Sequence, residues 1–263
     1  MRQLTVLITG ASAGIGEAFA KIFAEHNFDL VLVARRLDRL EEVAGEIQGQ
    51  YHVEVTCLPA DLSEVDAVDK LMSVLKAKNL VIDALVNNAG YALNGSFLEP
   101  SWEDHRKMHQ VMLNGYTELC YRLLPSMVER HYGRIINVSS LSAMLPSVPS
   151  SMYTGIKRYV VDMSAAIDFE MRGQGIHCLA LCPGFTYTEF HDVMGVREQA
   201  QSNFPKFMWQ SSETVAREGY DAVMAGKVLK VNGWYNRLLS MVLNHLPYSL
   251  QHRLARSQDP FSD

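Results

Sequence analysis

Leu4-Thr5-Val6-Leu7-Ile8-Thr9-Gly10-Ala11-Ser12-Ala13-Gly14-Ile15-Gly16 is the stretch that decides the fold. An apolar run of five residues stops on glycines. Ile15, Ala18, Phe19, Ile22 and Phe23 then recur at the spacing of one helix face. The next run, Leu30-Val31-Leu32-Val33, has no polar alternation, as expected of a strand covered on both sides in a parallel sheet. Leu40, Val43, Ala44 and Ile47 form a second helical stripe. Strand, glycine turn, helix and strand make a βαβ unit.

The alternation continues outward. Val53, Val55 and Cys57 alternate with polar residues as a third strand. Ser63 reads as a helix N-cap, with Asp66 in the first turn and Val68, Leu71, Met72 and Leu75 as the buried stripe. Ile82–Asn87 reads as strand four. Ser101 with Asp104 repeats the capping pattern before a long helix to about Arg130. Arg134–Val138, Ile176–Cys182 and Val228–Val231 read as strands, Tyr153–Met171 and Ser212–Ala225 as helices. Such alternation predicts an α/β fold. The expected form is one doubly wound (Rossmann-type) domain over residues 1–263. It has a seven-stranded, mostly parallel sheet with helices on both faces. Two parts fall outside the alternation: a loop at Phe185–Gln210, rich in Phe, Met and Trp, and an extension at Trp234–Asp263.

Composition narrows the function. The chain has 263 residues, 48% of them hydrophobic and 20% charged, which excludes disorder and small disulfide scaffolds. A net charge of −5 argues against binding nucleic acid by phosphate neutralisation. No run of about 18 apolar residues is present, so no transmembrane segment is expected. Cys57, Cys120, Cys178 and Cys182 show no Cys-x-x-Cys pairing, which favours a reduced, cytoplasmic setting.

The glycine turn carries the first chemical reading. Gly10, Gly14 and Gly16 allow a tight turn, close approach to a phosphate and tight helix packing. With Ser12 and Ile15 they surround a helix start whose free N–H groups face an anion. A dinucleotide site of the NAD type places an acidic side chain about 20 residues on, at the end of strand two. Here that position is Ala34, and Arg35 and Arg36 follow. Arginine forks match phosphate oxygens. The missing acid and the present bases both point to NADP(H), although paired arginines are also common on solvated loops.

With these residues in place, the chain resembles a short-chain dehydrogenase/reductase of the NADP-preferring branch of about 250 residues. The resemblance rests on Thr9-Gly-x3-Gly14-x-Gly16, Asn87-Asn88-Ala89-Gly90, Asn114, Ser140, Tyr153-x3-Lys157 and Pro183-Gly184, in the family's order over residues 4–188. The chemistry can be read from the residues as well. Tyr153 and Lys157 share one helix face. A nearby ammonium would lower the phenol from about 10 toward easy proton transfer, so Tyr153 could act as general acid or base. Ser140, at the family's spacing before the Tyr, could hold a carbonyl oxygen where negative charge develops. The resemblance further implies that Lys157 bonds the nicotinamide ribose and that Asn114 anchors a relay water. It places Asp61 and Leu62 at the adenine, Asn88 and Gly90 behind the adenine ribose, and Pro183, Gly184, Thr186 and Thr188 at the carboxamide. It also implies a homodimer or homotetramer.

Three departures stand out. Ala13 replaces a basic residue common in NADP-preferring relatives, Ile156 precedes Lys157 where Ser is commonest, and the tail lacks the Asp-Gly-Gly ending of the carrier-protein reductases. His105 and His109 lie four apart, and we read them as a solvated helix face with no metal role. Cys178 and Cys182 share a strand face and read as buried thiols. Tyr91, Leu141, Met144, Leu145, Met152, Phe185, Tyr187, Phe190, Met194, Phe204, Phe207, Met208 and Trp209 are expected on the substrate side. Their low charge favours an apolar carbonyl or alcohol substrate, with the 185–210 loop as a lid. The leading expectation is an NADPH-dependent carbonyl reductase. The alternatives are a 3-oxoacyl thioester reductase and a catalytically silent dinucleotide-sensing protein. The extension's apolar face at Leu238, Leu239, Val242, Leu243 and Leu246 could pack on a subunit or lie on a membrane surface.

Overall fold

The computed structural model describes residues 2–145, 152–188, 205–244, 247 and 250. Its elements run β1 (Thr5–Thr9), α1 (Gly14–Glu25), β2 (Asp29–Ala34), α2 (Leu37–Gln50), β3 (Val55–Pro59), α3 (Ala67–Ala77) and β4 (Ala84–Asn87). They continue with α4 (Trp102–His109), α5 (Gly115–Glu129), β5 (Gly133–Val138), α6 (Tyr153–Met171), β6 (Ile176–Cys182) and β7 (Thr186–Tyr187). The last are β8 (Gln210–Ser211), α7 (Ser212–Met224), β9 (Leu229–Val231) and α8 (Trp234–Asn244). Seven strands form one parallel sheet in the order β3-β2-β1-β4-β5-β6-β9. β7 and β8 pair separately.

The period of two along each strand sorts its side chains into two cores. Val6, Ile8, Leu30 and Leu32 pack with Phe19, Phe23, Ile47, Val215 and Tyr220 from α1, α2 and α7. Leu7, Val31 and Val33 face the other way, onto Leu71, Leu75, Leu119 and Leu123 from α3 and α5. The sheet order reverses at β1, which has β2 on one side and β4 on the other. In a parallel sheet this leaves a crevice beyond the strand C-termini. The glycine turn, the end of β4 and the end of β5 all open there.

Three local expectations change. The helix read from Ser63 begins at Ala67, with Asp66 as N-cap. Asp61 Oδ1 accepts from Ser63 N at 3.0 Å and Glu64 N bonds Asp61 O at 3.1 Å, so a local aspartate turn takes the residues before it. Ser101 and Asp104 do form a reciprocal capping box, but the helix they start does not run unbroken to Arg130. A single π-turn, Gln110–Asn114, separates α4 from α5, with Gly115 N donating to Gln110 O. Finally, His105 is not solvated. It is 4% exposed, and its Nε2 lies 3.1 Å from Phe97 O, because the preceding loop folds back over the first turns of α4.

Candidate active site

A cavity of about 450 Å³ occupies the crevice. One wall is the glycine turn. Gly10 and Gly14 have φ of +67° and +60°, which side chains rarely adopt. Gly10 N and Ala11 N both donate to Val33 O, at 2.8 and 3.2 Å, tying the turn to β2. Thr9 Oγ1 accepts from Asn88 N at 2.9 Å and from Ala89 N at 3.1 Å. Asn88 Nδ2 in turn donates to Thr9 O at 3.0 Å and Gly10 O at 3.2 Å. The Asn88 carboxamide, expected behind the adenine ribose, therefore braces the turn from within.

The floor under this turn has no spare room. A Cβ on Gly16 would lie 2.1 Å from Gly10 O and 2.6 Å from Asn88 Nδ2. Gly10 O is backbone, and Asn88 Nδ2 is pinned by its bonds to Thr9 O and Gly10 O, so the backbone itself must yield. Gly16→Ala is expected to cost about 1–3 kcal/mol of stability, as overpacking does, read as a lower urea midpoint, and to loosen dinucleotide binding with it.

The opposite wall comes from β5, α6 and the stretch after β6. Ser140 sits at the start of a short 3₁₀ turn, where its Oγ accepts from Ser142 N at 3.1 Å. It also hydrogen-bonds Tyr153. Ser139 Oγ, by contrast, donates to Lys157 O at 2.7 Å. One serine is consumed by the backbone, and the other faces the phenol. Leu141 N bonds Pro183 O at 2.7 Å, which fixes the Ser140 turn against the Pro183–Gly184 segment. A Cβ on Gly184 would meet Asn236 Nδ2 at 2.3 Å, so α8 packs directly behind that segment.

Tyr153 opens α6, preceded by Met152 in the left-handed region at φ 72°. Tyr153 keeps part of its surface open to the cavity, but protein encloses it deeply. Burial pushes its phenol up to about 12, against the lowering by Ser140's bond. Lys157 Nζ donates to Val138 O at 2.8 Å and lies 5.5 Å from the Tyr153 ring centroid. Burial pushes this lysine down to about 8. The expected lowering of Tyr153 by Lys157 is therefore not realised in this state. The ammonium is turned to a backbone carbonyl and the ring, and desolvation outweighs charge attraction.

The cavity walls include Gly10, Gly14, Ile15, Asn88, Gly90, Ser140, Tyr153, Lys157, Pro183, Gly184, Thr186 and Thr188 from the expected set. Thr188 closes on Gly14, with its Cγ2 only 3.0 Å from where a Cβ would stand. Ser12, Gly16, Arg35, Arg36, Asp61, Leu62 and Asn114 are not wall residues. Arg36 Nη2 donates to Ser12 Oγ at 3.3 Å, so one arginine does reach the glycine turn. Arg35 is exposed at the end of β2. The Asp61 carboxyl is raised by burial but lowered on balance by hydrogen bonds from Ser63 and by the charges of Arg35 and Lys107. The Leu62 side chain is buried among Ala67, Met108, Val111 and Ile156, so it offers only its backbone to a ligand. Asn114 Nδ2 donates to Gln110 Oε1 at 2.8 Å across the π-turn.

Of the expected substrate side, Leu141, Leu145 and Phe185 line the cavity. Tyr91, Met144, Met152, Tyr187, Phe207, Met208 and Trp209 lie outside its wall. Trp209 stacks on Phe185 and Tyr187, and Phe207 packs edge-on against Tyr235. Phe190, Met194 and Phe204 lie outside the described residues. Wall residues not foreseen are Ala13, Ala89, Val138, Ser139 and Ser142. The contribution of Val138 is its carbonyl, which no side-chain pattern can signal.

The sequence pattern of the short chain dehydrogenases matches residues 4–199. The chain belongs to the short chain dehydrogenase family. Among its relatives, the oxidoreductase UcpA of Salmonella typhimurium is 35% identical over 185 residues, 70% of each chain. The very-long-chain 3-oxoacyl-CoA reductase of Homo sapiens is 30% identical over 246 residues, 92% of this chain and 75% of the relative. A short-chain dehydrogenase from Sphingobium yanoikuyae, solved in complex with NADPH, superposes with a TM-score of 0.83 at 26% identity. That match covers 99% of this chain and 98% of the other. As a short chain dehydrogenase the chain is an oxidoreductase of a small-molecule substrate with a nicotinamide dinucleotide. Among the described residues no helix is long and apolar enough to cross a membrane.

Proposed function

We propose that this short chain dehydrogenase reduces an apolar ketone or aldehyde with NADPH through Ser140, Tyr153 and Lys157. The observation that carries the reading is one shared cavity whose opposite walls hold the glycine turn and these three residues. The glycine cradle fits a dinucleotide: Gly10 and Gly14 line the cavity at positive φ without side chains, and Gly16 lets the turn sit tight beneath them. When bound, the dinucleotide supplies the hydride. The chain's own residues do the rest. Ser140 Oγ orients the carbonyl oxygen, and Tyr153, held protonated by burial, gives that oxygen its proton. Lys157 supplies positive charge beside the phenol, and Asn114 stands by the relay that the resemblance implies. Among the described wall residues Lys157 is the one charged side chain, which favours an uncharged substrate end. The 185–210 segment serves as the substrate loop and 234–263 as an extension of the same domain, in a cytoplasmic homodimer or homotetramer.

NADP preference is assigned to Arg35 and Arg36, with Asp61 and Leu62 on the adenine side. The Arg36–Ser12 bond and the relative solved with NADPH support it. Replacing both arginines by Ala removes two charge-assisted contacts. It is expected to lower kcat/KM for NADPH by about 100-fold and to leave NADH within about three-fold. Equal losses with both cofactors would remove the assignment.

A second reading has specific support. The human 3-oxoacyl-CoA reductase aligns over 92% of the chain, so a 3-oxoacyl thioester belongs in the first substrate panel. Turnover with NADPH and NADH on simple ketones and thioesters, compared side by side, separates the two readings. Stronger turnover with NADH would contradict the NADP assignment.

A further inference from the structure

Lys157 is a buried cation with little to hold it. It is 3% exposed, and no carboxylate among the described residues acts on it. Its partners are the Val138 carbonyl at 2.8 Å and two aromatic rings. One ring is Tyr153. The other is Tyr116 on α5, whose centroid also lies 5.5 Å from Nζ. Tyr116 itself is completely buried. Its hydroxyl has no hydrogen-bond partner among the described residues. Packing therefore fixes the ring, helped by Asn87 Nδ2 donating to the Tyr116 backbone carbonyl at 3.3 Å.

We infer that Tyr116 is a positioning residue for Lys157, its ring face forming the fixed wall that keeps the buried ammonium charged and in place. A desolvated cation over an aromatic face is held by the ring quadrupole. Tyr153 supplies the same contact but must itself exchange a proton. Tyr116, fully enclosed, is free to be only a wall. The unbonded hydroxyl shows which part of the residue acts: the ring, so phenylalanine should serve as well.

The inference rests on the Ser140–Tyr153–Lys157 reading and is tested on the alkaline limb of the pH–kcat profile. The titratable groups facing Lys157 are Tyr153 on α6, Tyr116 on α5 and Cys182 on β6. Burial pushes Tyr153 and Cys182 up to about 12 and raises Tyr116 well above its ordinary value, so the first limb above neutrality reports Lys157. In Tyr116→Leu that limb is expected to move down by about one pH unit. Tyr116→Met, which fills more of the space without a ring, should move it equally and keeps the test open if the leucine variant does not fold. Tyr116→Phe should restore the wild-type limb. An unmoved limb in both Leu and Met would overturn the inference, as would a Phe variant shifted as far as they are. Lys157→Met run alongside separates the two levels. Retained turnover in that variant would refute the underlying reading. A dead Lys157→Met beside unshifted Tyr116 variants would refute this inference alone.

Discussion

Tyr153→Phe is expected to lower kcat by about 10²–10⁴-fold, the range for loss of a positioned general acid, while NADPH binding stays within a few-fold of wild type. The substitution removes one oxygen. It leaves the ring that Lys157 lies against and the helix that begins at Tyr153. What disappears is the O–H at the end of the Ser140 bond. The protonation state gives the effect a direction. A phenol pushed up to about 12 by burial is fully protonated at neutral pH, so it is ready to give a proton and poorly prepared to take one. Reduction should therefore outpace alcohol oxidation at neutral pH, and oxidation should gain as pH rises. Steady-state rates in both directions with wild type and Tyr153→Phe, beside cofactor titration by fluorescence, check all three statements. A phenylalanine variant with near-normal turnover would remove Tyr153 from the chemistry.

The second large effect runs in two directions at once. Lys157→Met should abolish turnover yet stabilise the ligand-free chain at neutral pH. Burial holds the lysine near 8 in the folded state, against its ordinary 10.5. The charged form is thus disfavoured by folding. At pH 7 it is protonated both folded and unfolded, so the penalty is fully present, on the order of 3 kcal/mol. Losing the bond to Val138 O returns about 1 kcal/mol of that, leaving a net gain of about 2 kcal/mol for methionine. As pH rises from about 8 to 10.5 the wild-type penalty is relieved, so the gap between the two proteins should close across that window. Lys157 does not act on Tyr153 or Cys120, and it is the smallest of the influences on Cys182, so these groups largely cancel in the difference. Urea unfolding at pH 7 and pH 10 measures it. A methionine variant less stable than wild type at pH 7 would show that the lysine contributes more by packing than it costs in desolvation.

These effects also show what was readable from residue order. The strand at Leu30–Val33 and the Cys178–Cys182 part of β6 are plain because burial on both faces leaves an unbroken apolar run. The helix starting at Tyr153 matches the expectation from its first residue to its last. The π-turn at Gln110–Asn114 left no such trace. Met108, Met112, Tyr116, Leu119, Leu123 and Met127 are all buried and keep a three-four spacing straight through it. Ser63 misled because an aspartate just before it forms a turn of its own, a competition between side chain and helix that periodicity cannot register.

At the site, residue type was legible and hydrogen-bond partners were not. Ser140 and Tyr153 were foreseen together. That Ser139 would be spent on Lys157 O, Asn88 on the glycine turn, and Lys157 on Val138 O depends on backbone atoms brought together from separate strands and a helix. Backbone carbonyls carry no sequence signature. The sign of the Tyr153 shift depended on that same geometry, since a lysine four residues away lowers a phenol only if its ammonium points at the oxygen.

The most direct test of the account is a single-turnover experiment with NADPH deuterated at the transferring carbon and a panel of apolar ketones, aldehydes and a 3-oxoacyl thioester. Deuterium is expected on the new carbinol carbon of at least one product, and Tyr153→Phe should bind the same cofactor without transferring the label. Cofactor binding with no label transferred to any carbonyl, from either NADPH or NADH, would contradict it and leave a dinucleotide-binding protein without turnover.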